Sequence, residues 1–304
     1  MIRLRDDQLT GSITPLVTPL RDGRIDHDAY ARIVERHIEA GGHGILVNGT
    51  TAEPSTLTVA ERNALVDTAV SVARGRTQIV AATGSQSYEE TVALTDHAAR
   101  AGIDGLLIVT PYYIRPPQRG LVEYYCALAQ RTDLPVMVYH IPGRTAVSMD
   151  VESFERIAAR AENFVGMKHA VNDLGFVTEC LVRLGREFRI FVGLEELSLP
   201  MLCVGACGMM NAVGNLAPGP VAQLYEAVRR GDLAAAQRLH FDLFELNRSV
   251  FFDTNPIPIK YMMKRMGIIE RNEHRLPMVP ATPELEKRLD VVLARAGLLD
   301  KEAA

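Results

Sequence analysis

At 304 residues, 47% hydrophobic and 23% charged, the chain can bury a sizeable core and suits one large α/β barrel or two ordinary domains. A formal net charge of −4 gives no electrostatic attraction to nucleic acid or to an anionic membrane surface, so neither is expected as a partner. The opening Met1-Ile2-Arg3-Leu4-Arg5-Asp6-Asp7 has no apolar export signal and no stretch is long enough to span a bilayer, which together predict a cytoplasmic protein.

The first apolar run centres on Thr14 and leads into Leu16-Val17-Thr18-Pro19. A helical pattern over 28–39 closes at Ala40-Gly41-Gly42-His43 and is followed by Gly44-Ile45-Leu46-Val47. Helix 59–73 then precedes a run near Val80, and helix 88–101 passes through Ala101-Gly102-Ile103-Asp104 into Gly105-Leu106-Leu107-Ile108-Val109. Helix 121–131 precedes a run near Val138, and further runs centre on Val165, Phe191 and Met210, the last introduced by Val204-Gly205-Ala206-Cys207-Gly208. The glycine after each helix suits the left-handed position that closes it. Continuous apolar runs read as strands buried on both faces, the mark of a parallel sheet. Eight such units, roughly 20 to 35 residues apart, predict a closed (β/α)8 TIM barrel.

The barrel is expected over 1–225. Helical stretches at 233–251, 256–266 and 283–296 predict a C-terminal helical extension of the same unit over 226–304, because no Ser/Gly linker intervenes. A doubly wound sheet ranks second, since no GxGxxG follows the first strand. Cys126, Cys180, Cys203 and Cys207 form no CxxC pair and read as reduced thiols.

Chemistry in a barrel sits where strands end. Of 33 Lys+Arg only Lys168, Lys260, Lys264, Lys287 and Lys301 are lysines, and Lys168 closes the apolar run Phe164-Val165-Gly166-Met167. Arginine stays protonated, whereas a desolvated lysine can shed its proton and attack a carbonyl. The alternative is an ammonium snorkelling to water. The Gly49-Thr50-Thr51 turn could cradle a small carboxylate, or simply cap the helix after it. Tyr139 could shuttle protons for an amine on the next strand, or be a barrel tyrosine with a satisfied hydroxyl. Arg144 suits bidentate capture of a carboxylate, or solvation. His43, His140 and His169 supply no evident third metal ligand on one face, and no phosphate loop follows the seventh or eighth strand, so no metal and no cofactor is expected.

Together, Gly49-Thr50-Thr51-x-Glu53, Thr110-Pro111-Tyr112-Tyr113, Tyr139-x-x-Pro142, Gly166-x-Lys168 and Asn255-Pro256-Ile257-Pro258-Ile259-Lys260 resemble the dihydrodipicolinate synthase / N-acetylneuraminate lyase family of pyruvate-dependent lyases, from Gly11 to Leu299. The resemblance implies a barrel with extra C-terminal helices and Lys168 as the imine-forming residue. It implies that Thr50 and Thr51 hold the pyruvate carboxylate and that Tyr139 shuttles protons. Thr51 would link Tyr139 to Tyr113, which reaches in from an adjacent subunit of a homotetramer built as a dimer of dimers. Met210 would line the substrate site, and Arg144 would bind the carboxylate of aspartate semialdehyde, pointing to the synthase branch and to lysine biosynthesis.

Three departures keep another pyruvate-dependent aldolase or dehydratase open. His169 replaces a glutamate, Ala52 replaces a glycine, and the acidic pair Glu195-Glu196 is similar to residues that meet sugar hydroxyls in sialic-acid lyases. Glu195, Glu196 and His169 are therefore possible second-substrate contacts. Pro54, Val59 and Arg62 differ from the polar residues of the family's lysine-inhibition site, so inhibition by lysine is expected to be weak or absent. A non-catalytic binding barrel and a metal-dependent aldolase rank lower, because Lys168, Tyr139, Thr51 and Tyr113 are all present.

Overall fold

Parallel strands pair all the way round in the computed structural model, which describes residues 1–299. They are β1 (Gly11–Pro15), β2 (Gly44–Val47), β3 (Gln78–Ala82), β4 (Gly105–Val109), β5 (Val136–His140), β6 (Phe164–His169), β7 (Arg189–Val192) and β8 (Gly208–Met209). The barrel closes where β1 pairs with both β8 and β2. The helices that follow the strands are α1 (His27–Glu39), α2 (Val59–Ala73), α3 (Tyr88–Ala101), α4 (Gln118–Ala129), α5 (Val151–Ala158), α6 (Leu174–Leu184), α7 (Ser198–Cys203) and α8 (Pro218–Arg229). Among the described residues no helix is long and apolar enough to cross a membrane.

Local chemistry sets the helix ends. Thr58 and Glu61 form a reciprocal capping box at the start of α2, while Asp26, Ser87, Asp150 and Asp173 cap α1, α3, α5 and α6. Gly41, Gly102 and Gly205 adopt φ of +77°, +84° and +114° in the helix-to-strand turns, as the recurring motif predicts. Helix α4 starts three residues earlier than expected, at Gln118, because Pro117 serves as its N-cap and proline suits a helix start.

Alternation along each strand makes two cores. Ile45, Val47, Leu106, Ile108, Val136 and Val138 face the helices, whereas Leu46, Leu107, Met137, Tyr139 and Phe191 fill the barrel interior. Helix α8 runs past the expected boundary at 225 and ends at Arg229, so the extension starts beyond it. There the predicted 233–251 helix is two, α9 (Leu233–Asp242) and α10 (Phe244–Ser249), followed by α11 (Ile257–Arg265) and α12 (Pro283–Arg295). Residues 300–304 of the expected extension lie outside the described residues.

Candidate active site

Strand β6 does not alternate strictly, and that irregularity aims Lys168. Val136 pairs with Phe164 but Met137 pairs with Gly166, leaving Val165 as an extra residue. Val165 faces the interior; unbroken alternation from it would turn Met167 and His169 inward and Lys168 outward. The bulge reverses the phase, so Met167 faces the helices and Lys168 sits beside Tyr139, its registered partner. Gly166 is required there, because an added Cβ would lie 2.1 Å from the Arg189 carbonyl oxygen.

Lys168 is 4% exposed, with its Nζ 4.4 Å from the centroid of the Tyr139 ring. Among the described residues its Nζ makes no ion pair and no hydrogen bond, and it lies against the face of Tyr139. Lys260 is the instructive contrast. It is also fully buried, but its Nζ is 2.8 Å from Glu53 Oε1, so its ammonium is spoken for. Burial is therefore shared by the two lysines; what separates them is that Lys260 has a carboxylate partner and Lys168, among the described residues, has none.

The Tyr139 hydroxyl is met by Thr50, which donates from Oγ1 at 3.3 Å. This corrects the expectation that Thr51 is the link. The turn 50–52 is a single 3-10 turn, and in it the Thr51 hydroxyl faces the extension and accepts from Asn255 Nδ2 at 3.0 Å. Tyr139 and Thr50 line a cavity of about 610 Å³, with Gly49, Ile141 and Arg144 on the barrel side and Asn255, Pro256, Pro277 and Met278 on the extension side. Arg144 stands exposed in the wall of that cavity on a short helical turn, Pro142–Thr145. Met210 is buried in the interior cluster that contains Tyr139. Tyr112 lines the cavity, while Tyr113, with φ of +70°, is 90% exposed.

The three possible second-substrate contacts separate. Glu195 is 2% exposed, accepts from the Ala212 N–H at 2.6 Å through Oε1, and leaves Oε2 without a partner. Burial pushes its carboxyl up to about 7, against backbone N–H groups and the charge of Lys168. Glu196 instead is exposed and pairs with Arg248 at 3.4 Å. His169 likewise faces the helices, one residue past Lys168 on the opposite face of β6.

His169 stacks on Phe176 at 5.0 Å, and its Nδ1 lies 3.1 Å from His140 Nδ1. The Met149 N–H donates to His140 Nε2, so His140 carries its proton on Nδ1 and donates it to His169. Burial lowers these rings to about 3 for His140 and about 4 for His169, and both are neutral. His43 sits before β2 at the other end of the barrel, 2.9 Å from Glu226.

Sequence reasoning missed the contribution of the extension. Asn255 and Lys260 stood in a quoted motif without a role, and His274, whose Nδ1 is 3.0 Å from Glu53 Oε2, carried no signal at all.

Comparison with known proteins agrees with this geometry. The model of the "Dihydrodipicolinate synthetase family" matches residues 8–296. The 4-hydroxy-tetrahydrodipicolinate synthase of Thermus thermophilus is 42% identical over 293 residues, 96% of this chain and 98% of the relative. That of Aquifex aeolicus is 38% identical over 288 residues, 95% of this chain and 98% of its own length. A crystal structure of dihydrodipicolinate synthase from Aquifex aeolicus superposes with a TM-score of 0.94 at 38% identity, covering 96% of this chain and 99% of that one. With an unpaired strand-end lysine, a tyrosine over it and a near full-length match, the chain belongs to the dihydrodipicolinate synthetase family.

Proposed function

We propose that the chain is a lysine-imine lyase that condenses pyruvate with aspartate semialdehyde. The observation that carries this reading is the buried, unpaired Lys168 amine against the face of Tyr139, whose hydroxyl meets Thr50 in the wall of a cavity that also holds Arg144. The exposed pairing of Glu196 with Arg248 and the stacking of His169 among helix-facing rings support the small aldehyde over a hydroxylated sugar acid.

The Lys168 Nζ attacks the keto carbon of pyruvate, and Tyr139 delivers the proton with which the oxygen departs as water, leaving an imine. The turn of Gly49, Thr50 and Thr51 holds the carboxylate through its N–H groups and the Thr50 hydroxyl. The imine draws electrons from the methyl group, which gives a proton to the Tyr139 oxygen left deprotonated by the departing water and becomes an enamine. The enamine carbon attacks the aldehyde, and the new alkoxide takes a proton relayed through Tyr139. The amino group of the condensed product then displaces Lys168 from the imine carbon, closing a ring and regenerating the amine. Arg144 pairs with the carboxylate of the aldehyde partner.

Borohydride reduction in the presence of pyruvate, read by intact mass, should give one covalent adduct that vanishes in Lys168→Ala. Arg144→Ala should keep the adduct while kcat/KM for aspartate semialdehyde falls about tenfold or more, the scale of one charge-assisted pair. An unchanged kcat/KM would remove the case for that aldehyde. The 90% exposed Tyr113 is suited to complete a neighbour's site in a homotetramer. Light scattering should show the assembly, and Tyr113→Phe should slow turnover; a fully active monomer would refute it.

A further inference from the structure

The buried cluster of Glu53, Lys260 and His274 is outside the chemistry just described. Glu53 ends the 3-10 turn of Thr50–Ala52 with a left-handed backbone, φ +56°, in a position that carries a cost for a side chain larger than glycine. Its carboxylate is held at both oxygens: Lys260 Nζ donates to Oε1 at 2.8 Å and His274 Nδ1 faces Oε2 at 3.0 Å. The Lys260 and His274 side chains are fully buried and that of Glu53 nearly so. Burial pushes the Glu53 carboxyl up, yet the hydrogen bond from His274 and the charge of Lys260 outweigh it and leave it below the usual carboxylate range. A second tie runs from Asn255 Nδ2 to the Thr51 hydroxyl. Both ties reach from the extension, about two hundred residues along the chain, one onto the middle of the turn and one onto its closing residue.

A buried ion pair contributes little net stability, because desolvating two charges costs about as much as their attraction returns; what it supplies is a fixed geometry. The geometry at stake is that of Thr50, three residues before Glu53 and in contact with the Tyr139 hydroxyl. We propose that Glu53, Lys260 and His274 are positioning residues, a charged clamp through which the C-terminal extension holds the carboxylate-binding turn against Tyr139. The extension is thereby part of the pyruvate site rather than an appendage. The inference rests on the pyruvate reading above.

The test is the pyruvate dependence of borohydride trapping, together with separate KM values for pyruvate and for the aldehyde, in Glu53→Gln, Lys260→Met, His274→Gln and the Glu53→Gln/Lys260→Met pair. Each folded single variant should need about tenfold more pyruvate for half-saturation, as displacement of the turn by a fraction of an ångström implies. The aldehyde KM should stay within about twofold, since Arg144 stands on another loop. The double variant should be no worse than the worse single one, because both substitutions break one clamp. His274→Gln removes only the contact to Glu53 Oε2, leaving the Lys260 ion pair in place, and so tests the clamp should either of the other substitutions prevent folding. A pyruvate dependence within about twofold of wild type in the folded variants would overturn the clamp, as would a fall in kcat with both KM values unchanged, the mark of a merely structural role. A wild-type protein that forms no pyruvate adduct would instead overturn the functional reading, and the clamp with it.

Discussion

Gly166→Ala is the sharpest single-atom perturbation of the site, because it acts on Lys168 without touching any reacting group. An added Cβ would sit 2.1 Å from the Arg189 carbonyl oxygen, where ordinary contact begins at 3.4 Å, so β6 and β7 must part by more than an ångström. The obstacle is backbone, paired in register with Gly166 itself, and no rotamer relieves it. Overpacking of this kind costs about 1–3 kcal/mol, a fraction of the ~5–15 kcal/mol of a native fold, so the variant should still be folded at room temperature. Its Tm should fall by several degrees, at roughly 2–4 °C per kcal/mol for a large domain. Activity should suffer more. Lys168 lies three residues beyond Val165, the bulge that sets its facing, and misplacing a reacting group by about 1 Å costs on the order of 100-fold. The assay is kcat/KM with the rate of pyruvate trapping, alongside circular dichroism. Gly219→Ala serves as control, its added Cβ meeting nothing closer than 3.6 Å. A folded Gly166→Ala protein with kcat/KM within about threefold of wild type would refute the claim that the bulge aims the lysine.

Glu195→Gln should stabilise the protein at high pH. The folded carboxyl is raised to about 7 from an ordinary 4.5, so the native state carries a penalty absent below about 4.5 and fully present above about 7. The variant should gain up to about 3 kcal/mol at pH 8 and nothing near pH 4.5, and urea unfolding that shows a pH-independent difference would contradict it. The neutral His140 and His169 act in the opposite direction: their folded values, about 3 and about 4, lie below the unfolded value near 6.5, so stability should be lost as pH falls from about 6.5 towards 4. His169→Gln should flatten that slope; an unaltered acid transition would exclude the pair. Inhibition by free lysine should be weak or absent, since Pro54, Val59 and Arg62, which line the cavity, differ from the polar residues that the family resemblance leads one to expect, and half-inhibition well below a millimolar would show otherwise.

Much of the molecule is legible from local patterning. The capping residues and post-helix glycines mark elements whose ends agree to within a few residues, because caps and left-handed turns are satisfied within four or five residues of chain. The barrel followed from counting apolar runs, and Lys168 from its rarity at a strand end. Other assignments needed tertiary information. Thr50 and Thr51 are adjacent and chemically identical, and only the pitch of one 3-10 turn decides which of them meets Tyr139. Glu195 and Glu196 likewise part, one to the interior and one to Arg248.

By itself, then, the amino-acid order determined the eight barrel strands and most of the helices between them, which face of each is apolar, and which lysine stands at a strand end. The fold alone decided that Lys168 faces inward, through an extra residue at Val165 set by pairing with β5, and that Lys260 is held in an ion pair with Glu53. The division has a physical cause. Periodicity and capping are written in neighbours a few positions apart, whereas strand phase and buried charge pairing depend on groups brought together from distant parts of the chain, 207 residues in the case of Glu53 and Lys260.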